Sequence, residues 1–214
     1  MKAFKITAFI ALLFVIFSCE LDTSAPIRIG LVTIPSEVVK LHIAIFSGED
    51  TLTQTSVDVS ELAKDNMIEL YVSPGKNRQI VMIAECYDGE GTYYAGYIGE
   101  TFSDISAGKE VSVSLNMGPL EYLYWDPYSG TQKNKYWVTY YDNQGYYTFQ
   151  WNSMGIPHVK YVVEQYTIMT YVYDLFYEGY DLTASGYSLP NGTASFRFYP
   201  VFEIFNLNGR KTSF

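Results

Sequence analysis

The sequence predicts an all-β protein: two tandem antiparallel β-sandwiches behind a short apolar leader. Three observations carry that prediction. Apolar and polar residues alternate with period two over short stretches, as in Val111, Val113, Leu115 and Met117 against Glu110, Ser112, Ser114 and Asn116. Clusters rich in Gly, Pro, Asn and Asp interrupt these stretches at 73–77 (SPGKN), 88–91 (DGEG) and 106–110 (SAGKE). Finally, only 59–65 (VSELAKD) reads as helical, and for no more than a turn or two.

The leader comes first. Lys2 and Lys5 precede an apolar run from Ile6 to Phe17, broken only by Thr7. A membrane-spanning helix needs roughly 20 apolar residues. The run is shorter and fits the apolar region of a secretory signal peptide, about 7–15 residues long. Ile16-Phe17-Ser18-Cys19 then resembles the lipobox of a bacterial lipoprotein signal. That resemblance implies cleavage after residue 18 and acylation of Cys19. The membrane becomes a partner through the acyl chains, each buried CH₂ adding about 0.8 kcal/mol. Residues 19–26 form the acylated cysteine and a polar tether. The expected location is the bacterial cell envelope, with the outer membrane or cell surface favoured over the inner membrane.

Composition bounds the rest. Hydrophobic residues make up 48% of the chain and charged residues 17%, enough for packed cores and unlike a disordered chain. The net charge of −9 argues against nucleic acid and anionic lipid headgroups as partners. Cys86 is the one other cysteine. With Cys19 acylated no intramolecular disulfide can form, and Cys86 reads as a small buried hydrophobe.

Residues 27–118 form the first expected sandwich, with strands near 27–34, 38–46, 67–72, 78–87, 92–97 and 111–117. In VVKLHIAIF, Val39, Leu41, Ile43 and Ile45 share one face, and His42 shares the other with Lys40, which reads as solvated or near an edge. The stretches LYVSPGKNRQIVMIAECYDGEGTYYAGYIGE and DISAGKEVSVSLNM resemble the prealbumin-like or immunoglobulin-like modules of bacterial surface lipoproteins. Such modules imply a rigid spacer or binding platform, with no catalytic residues to carry over.

Gly118-Pro119 marks a boundary, since proline fixes φ and lacks an amide proton. Composition changes across it. All three Trp and 16 of the 21 Tyr lie in 119–214, so any aromatic recognition surface belongs there. KYWVTYYDNQGYYTFQW reads as two strands around Asp142-Asn143-Gln144-Gly145. VKYVVEQY alternates, YDLFYEG, SGYSLPNGT and ASFRFYPVFEIF follow, and NGRKTSF would close the sheet. Trp151, Tyr161 and LPNGTASFRFYPVFEIFNLNGRKTSF resemble a fibronectin type III domain over roughly 135–214, with Phe196 in place of the family's corner Tyr. The segment 120–134 has no counterpart in that family.

No pattern for catalysis stands out. Each half holds one histidine, His42 or His158, too few for a His-rich metal site. Carboxylates such as Asp88, Glu90, Asp142, Asp174 and Glu178 sit in or near turns, and no nucleophile elbow occurs. Neither an enzymatic activity, a cofactor nor a metal is expected.

Aromatics are the informative feature. Tyr136 and Tyr140 share one face of their strand, and Trp137 and Tyr141 the other, so one set enters the core and the other is exposed or covered. Exposed Tyr and Trp are frequent interface anchors. In QYTIMTYVYDLFYEG the link between strands carries no Gly, Pro or Asn; a loop from Thr167 to Val172 would be an apolar contact patch if exposed, and the alternative is two long strands or a covered loop. The candidate ligand-binding residues are therefore Trp125, Trp137, Tyr140, Tyr141, Ile168 and Met169. The competing reading is a Tyr-rich sandwich whose aromatics serve only its core. The expected function is a non-catalytic envelope lipoprotein that binds a glycan or protein at the surface; the alternative is a periplasmic structural subunit of an envelope complex.

Overall fold

The structure, a computed structural model, describes residues 24–62, 66–131, 134–167, 171–187 and 195–214. The leader, Cys19, Ile168, Met169 and residues 188–194 lie outside the described residues. Seventeen strands follow in chain order: β1 Ala25–Leu31, β2 Val38–Ser47, β3 Asp50–Asp58, β4 Met67–Val72, β5 Gly75–Tyr87, β6 Tyr93–Ile105, β7 Val111–Leu115, β8 Gly118–Pro119, β9 Leu123–Tyr124, β10 Trp137–Asn143, β11 Tyr146–Trp151, β12 Val159–Thr167, β13 Val172–Gly179, β14 Thr183–Tyr187, β15 Phe196–Phe202, β16 Leu207–Asn208 and β17 Thr212–Ser213. Among the described residues the helical pieces are single 3₁₀ turns, Val59–Glu61 and Glu203–Phe205.

Among the described residues these seventeen strands form four sheets. Sheet A runs β4-β1-β7 and sheet B runs β3-β2-β5-β6-β8. Sheet C runs β14-β11-β10-β9, and sheet D runs β13-β12-β15-β16 with β17 also paired to β15. Most pairs are antiparallel, but β1–β7 and β9–β10 are parallel. Such pairs join strands distant in sequence, so no hairpin signal announces them.

Sheets A and B enclose one core, built on Ile27, Ile29, Leu41, Ile43, Ile45, Ile80, Met82 and Ala84. Sheets C and D enclose another, rich in aromatics: Tyr136, Phe149, Trp151, Tyr161, Phe196, Phe198 and Phe202. The second cluster also takes in Ala44, Phe46, Val81, Ile83, Ala95 and Ile98, the opposite face of sheet B. Sheet B is therefore buried on both faces, which explains the unbroken burial of Leu41–Phe46 and Ile80–Ala84. A continuous apolar run is what a doubly covered strand requires. Leu120 and Tyr122, in the segment without a counterpart, fill this junction, and Tyr122 donates a 2.7 Å hydrogen bond to the Asn152 carbonyl.

Two expectations for β2 are corrected by this packing. His42 is not solvated but 7% exposed. It lies on the second face, with Phe205 5.1 Å from its ring centroid. Val39 does not enter the core; it is 38% exposed, while Val38 is buried. An irregularity in the β2–β5 register between Val38 and Lys40 shifts the alternation there.

A candidate ligand-binding face on sheet C

The β10–β11 hairpin builds the centre of the face. Its turn succeeds because Gln144 and Gly145 both adopt positive φ, 53° and 86°, and Asp142 Oδ1 accepts the Gly145 amide at 2.9 Å. Register then fixes which side chains point where. The pairs Val138–Trp151, Tyr140–Phe149 and Phe149–Ala184 face inward. Trp137, Thr139, Tyr141 and Asn143 face outward with Tyr146, Thr148 and Gln150 of β11 and Thr183, Ser185 and Tyr187 of β14.

Tyr140 is thereby removed from the candidate ligand residues. Its ring packs against the core, stacked on Phe214 with centroids 5.6 Å apart and near Phe149 at 5.9 Å and Phe196 at 6.1 Å. Val138 in the same phase was the sequence signal for this orientation. Ile168 and Met169 lie outside the described residues.

Trp125, Trp137 and Tyr141 remain on the outer face, each partly exposed. Trp125 and Trp137 meet edge to face with centroids 5.7 Å apart. Both are held from behind. Asn152 accepts the Trp137 amide at 2.8 Å and donates to the Lys135 carbonyl at 2.7 Å, clamping the start of β10. The Trp125 amide donates to Val138 at 2.9 Å, and its indole nitrogen donates to Thr131 at 3.2 Å. The 126–131 loop that supplies Thr131 is tied by Tyr128 N to Asp126 Oδ1 at 2.8 Å and by Ser129 to Thr131 at 2.7 Å.

At the far end of the same face Tyr146 and Tyr187 form a second aromatic pair, edge to face at 4.9 Å, with Tyr187 76% exposed. Sequence reasoning missed both, because their phase on β11 and β14 depends on register. Between the two pairs lie Thr139, Tyr141, Asn143, Thr148, Gln150, Thr183 and Ser185, all uncharged. Ser185 donates to Thr148 at 3.1 Å, and Thr139 Oγ1 is buried without a hydrogen-bond partner.

Charge distinguishes this face from the other outer faces. Sheet A carries Arg28 between Glu69 and Glu110, each 3.3 Å away. Sheet D carries Lys160–Glu203 at 2.6 Å, Lys211–Glu164 at 3.3 Å, and Arg197 over the Tyr173 ring. The hydrogen bond between them lowers the Glu203 pKa and raises that of Lys160. Strand positions on the outer face of sheet C contain no Asp, Glu, Lys or Arg.

One further polar constellation escaped sequence reasoning. His42 Nδ1 lies 2.7 Å from Ser56 Oγ, and Nε2 lies 2.8 Å from Glu85. The three residues sit on neighbouring strands β3, β2 and β5, with Phe205 of the second half against the imidazole. The row links three strands of sheet B at the junction between the halves. Among the described residues no group of three or more His, Cys, Asp or Glu is placed to hold a metal.

No family model matches the chain, and no curated protein does. Among solved structures, it is similar to a fimbrilin (fimA) from Porphyromonas gingivalis W83, with 11% identity and a TM-score of 0.34, over 66% of this chain and 49% of that one. It is also similar to a Bacteroides ovatus protein described as a "putative adhesin", with 8% identity and a TM-score of 0.32, over 88% of this chain and 75% of that one. The chain thus spans about half the length of the fimbrilin it matches.

Proposed function

We propose that this protein is a non-catalytic, lipid-anchored module of the bacterial cell envelope that binds an uncharged glycan through the outer face of sheet C. In this reading residues 1–18 are a signal peptide and Cys19 carries the acyl chains. Two sandwich domains, 27–118 and 119–214, extend outward from it. The observation that carries the ligand class is the charge-free, aromatic-flanked strip on a chain of net charge −9. A charged group brought onto that strip would lose hydration without gaining a counter-ion. A sugar offers hydroxyls to Thr, Ser, Asn and Gln, and flat C–H faces to Trp and Tyr.

Glycan-array binding tests the reading, with Trp137→Ala and Tyr141→Ala as the variants. Loss of binding with an unchanged circular dichroism spectrum supports it. Loss of the folded spectrum in both variants would make these residues structural and sink the site. The anchor is tested separately by fractionating cells that express Cys19→Ser. Release from the membrane is expected; retention identical to the native protein rejects the lipoprotein reading.

A further inference from the structure

Two aromatic pairs stand at opposite ends of one face, with a neutral polar strip between them. Trp125 and Trp137 occupy the end where β10 begins, and Tyr146 and Tyr187 the end where β10 turns into β11. Asn143 is opposite Tyr146 in the register, so the pairs are separated by the length of β10 from Trp137 to Asn143. At roughly 3.4 Å per residue that separation is on the order of 20 Å. Resting on the glycan reading above, we infer that the ligand is a linear, uncharged oligosaccharide of several units bound along β10, with one aromatic pair under each end of the bound stretch.

The layout supports side-on binding over capture of a chain end. The face follows the plane of an open sheet, and neutral hydrogen-bonding groups continue from one aromatic pair to the other. Thr139 and Gln150 are paired across β10–β11, as are Tyr141 and Thr148; Thr183 and Ser185 continue the same two rows on β14. Thr139 is fully buried, so the first row offers Gln150 and Thr183 and the second offers Tyr141, Thr148 and Ser185. A single sugar reaches one aromatic pair and the adjoining row. A longer chain reaches both pairs, and its added contacts cost no second loss of translational freedom.

The test is a length series. Calorimetric titration of the native protein would use neutral xylo-, cello-, manno- and malto-oligosaccharides, from monosaccharide to hexasaccharide. In the series that binds, affinity is expected to climb with length and level off once the chain spans both pairs. Tyr187→Ala, a change at a highly exposed ring, is expected to weaken the hexasaccharide about tenfold and leave the disaccharide unaffected. Tyr146→Phe, which retains the ring, should bind as the native protein does. A disaccharide bound as tightly as the hexasaccharide, or a hexasaccharide indifferent to Tyr187→Ala, overturns the extended mode and leaves glycan binding itself intact. Failure of every series to bind overturns both.

Discussion

Phe46→Ala tests whether the two halves of the chain share a core. Phe46 has no solvent exposure, and it lies on the face of sheet B that belongs to the aromatic cluster of sheets C and D. Its ring is 6.3 Å from His158, whose Nε2 is 2.9 Å from the Glu49 carbonyl across the junction. In a chain of two independent sandwiches this face would be solvent-exposed, and truncation would cost nearly nothing. With both faces of sheet B covered, removing the ring leaves a cavity and costs about 3–5 kcal/mol. For a protein of this size that lowers Tm by on the order of 10 °C. Phe102→Ala, at a ring 54% exposed, is the control and should change stability by no more than about 0.5 kcal/mol. The assay is urea unfolding followed by tryptophan fluorescence, with scanning calorimetry for Tm. If Phe46→Ala costs no more than Phe102→Ala, the shared core is wrong.

Three further outcomes follow from local chemistry. A Cβ on residue 96 would sit 2.5 Å from Cys86 Sγ, so Gly96→Ala should destabilise by about 1–3 kcal/mol, with part of the loss restored by adding Cys86→Ala in a double-mutant cycle. Removing the His42 ring leaves Glu85 and Ser56 without their partner, so His42→Ala should cost about 1–3 kcal/mol in the same unfolding assay. Alkaline stability is the third. The Glu37 carboxylate holds the Tyr97 proton and pushes its pKa up to about 12, while burial pushes the Cys86 thiol up to about 11. Both folded values lie above the ordinary ones, so these contributions are complete below pH 9 and fade as pH rises through 11 to 12. Stability of Tyr97→Phe should therefore change less across that window, and thiol reagents should reach Cys86 only as the protein unfolds.

Many of the strands were legible in the sequence, but β3, Asp50–Asp58, was not, and β6 runs on to Ile105 past the expected end at 97. Val111–Leu115 alternates because one face is wet, and the Asp142–Gly145 turn carries the residues that a tight hairpin needs. The double burial of sheet B was also written there, in LHIAIF and QIVMIA, where apolar residues occupy both phases. Reading only the stronger phase put His42 in solvent or near an edge. Tyr140 failed for a related reason: aromatics fill both phases of β10, and Val138 and Thr139 in opposite phases are both buried, so only the apolar Val138 beside Tyr140 hints at the inward side. The far half of the candidate face was not legible. Tyr146 and Tyr187 come together through β11–β14 pairing across 41 positions of sequence, and the parallel pairs β1–β7 and β9–β10 have no local turn to mark them. Long-range register is a property of the packed sheets, set only when the cores form.

Indole resonances give the most direct reading of the face. The three tryptophans divide cleanly: Trp125 and Trp137 pack together on the outer face of sheet C, and Trp151 is buried among Tyr161, Tyr177 and Phe198. Titrating ¹⁵N-labelled protein with the neutral oligosaccharide selected on the array should shift the Trp125 and Trp137 indole signals and leave Trp151 in place. Binding that leaves the Trp125 and Trp137 signals unmoved would place the ligand elsewhere and remove sheet C as the site.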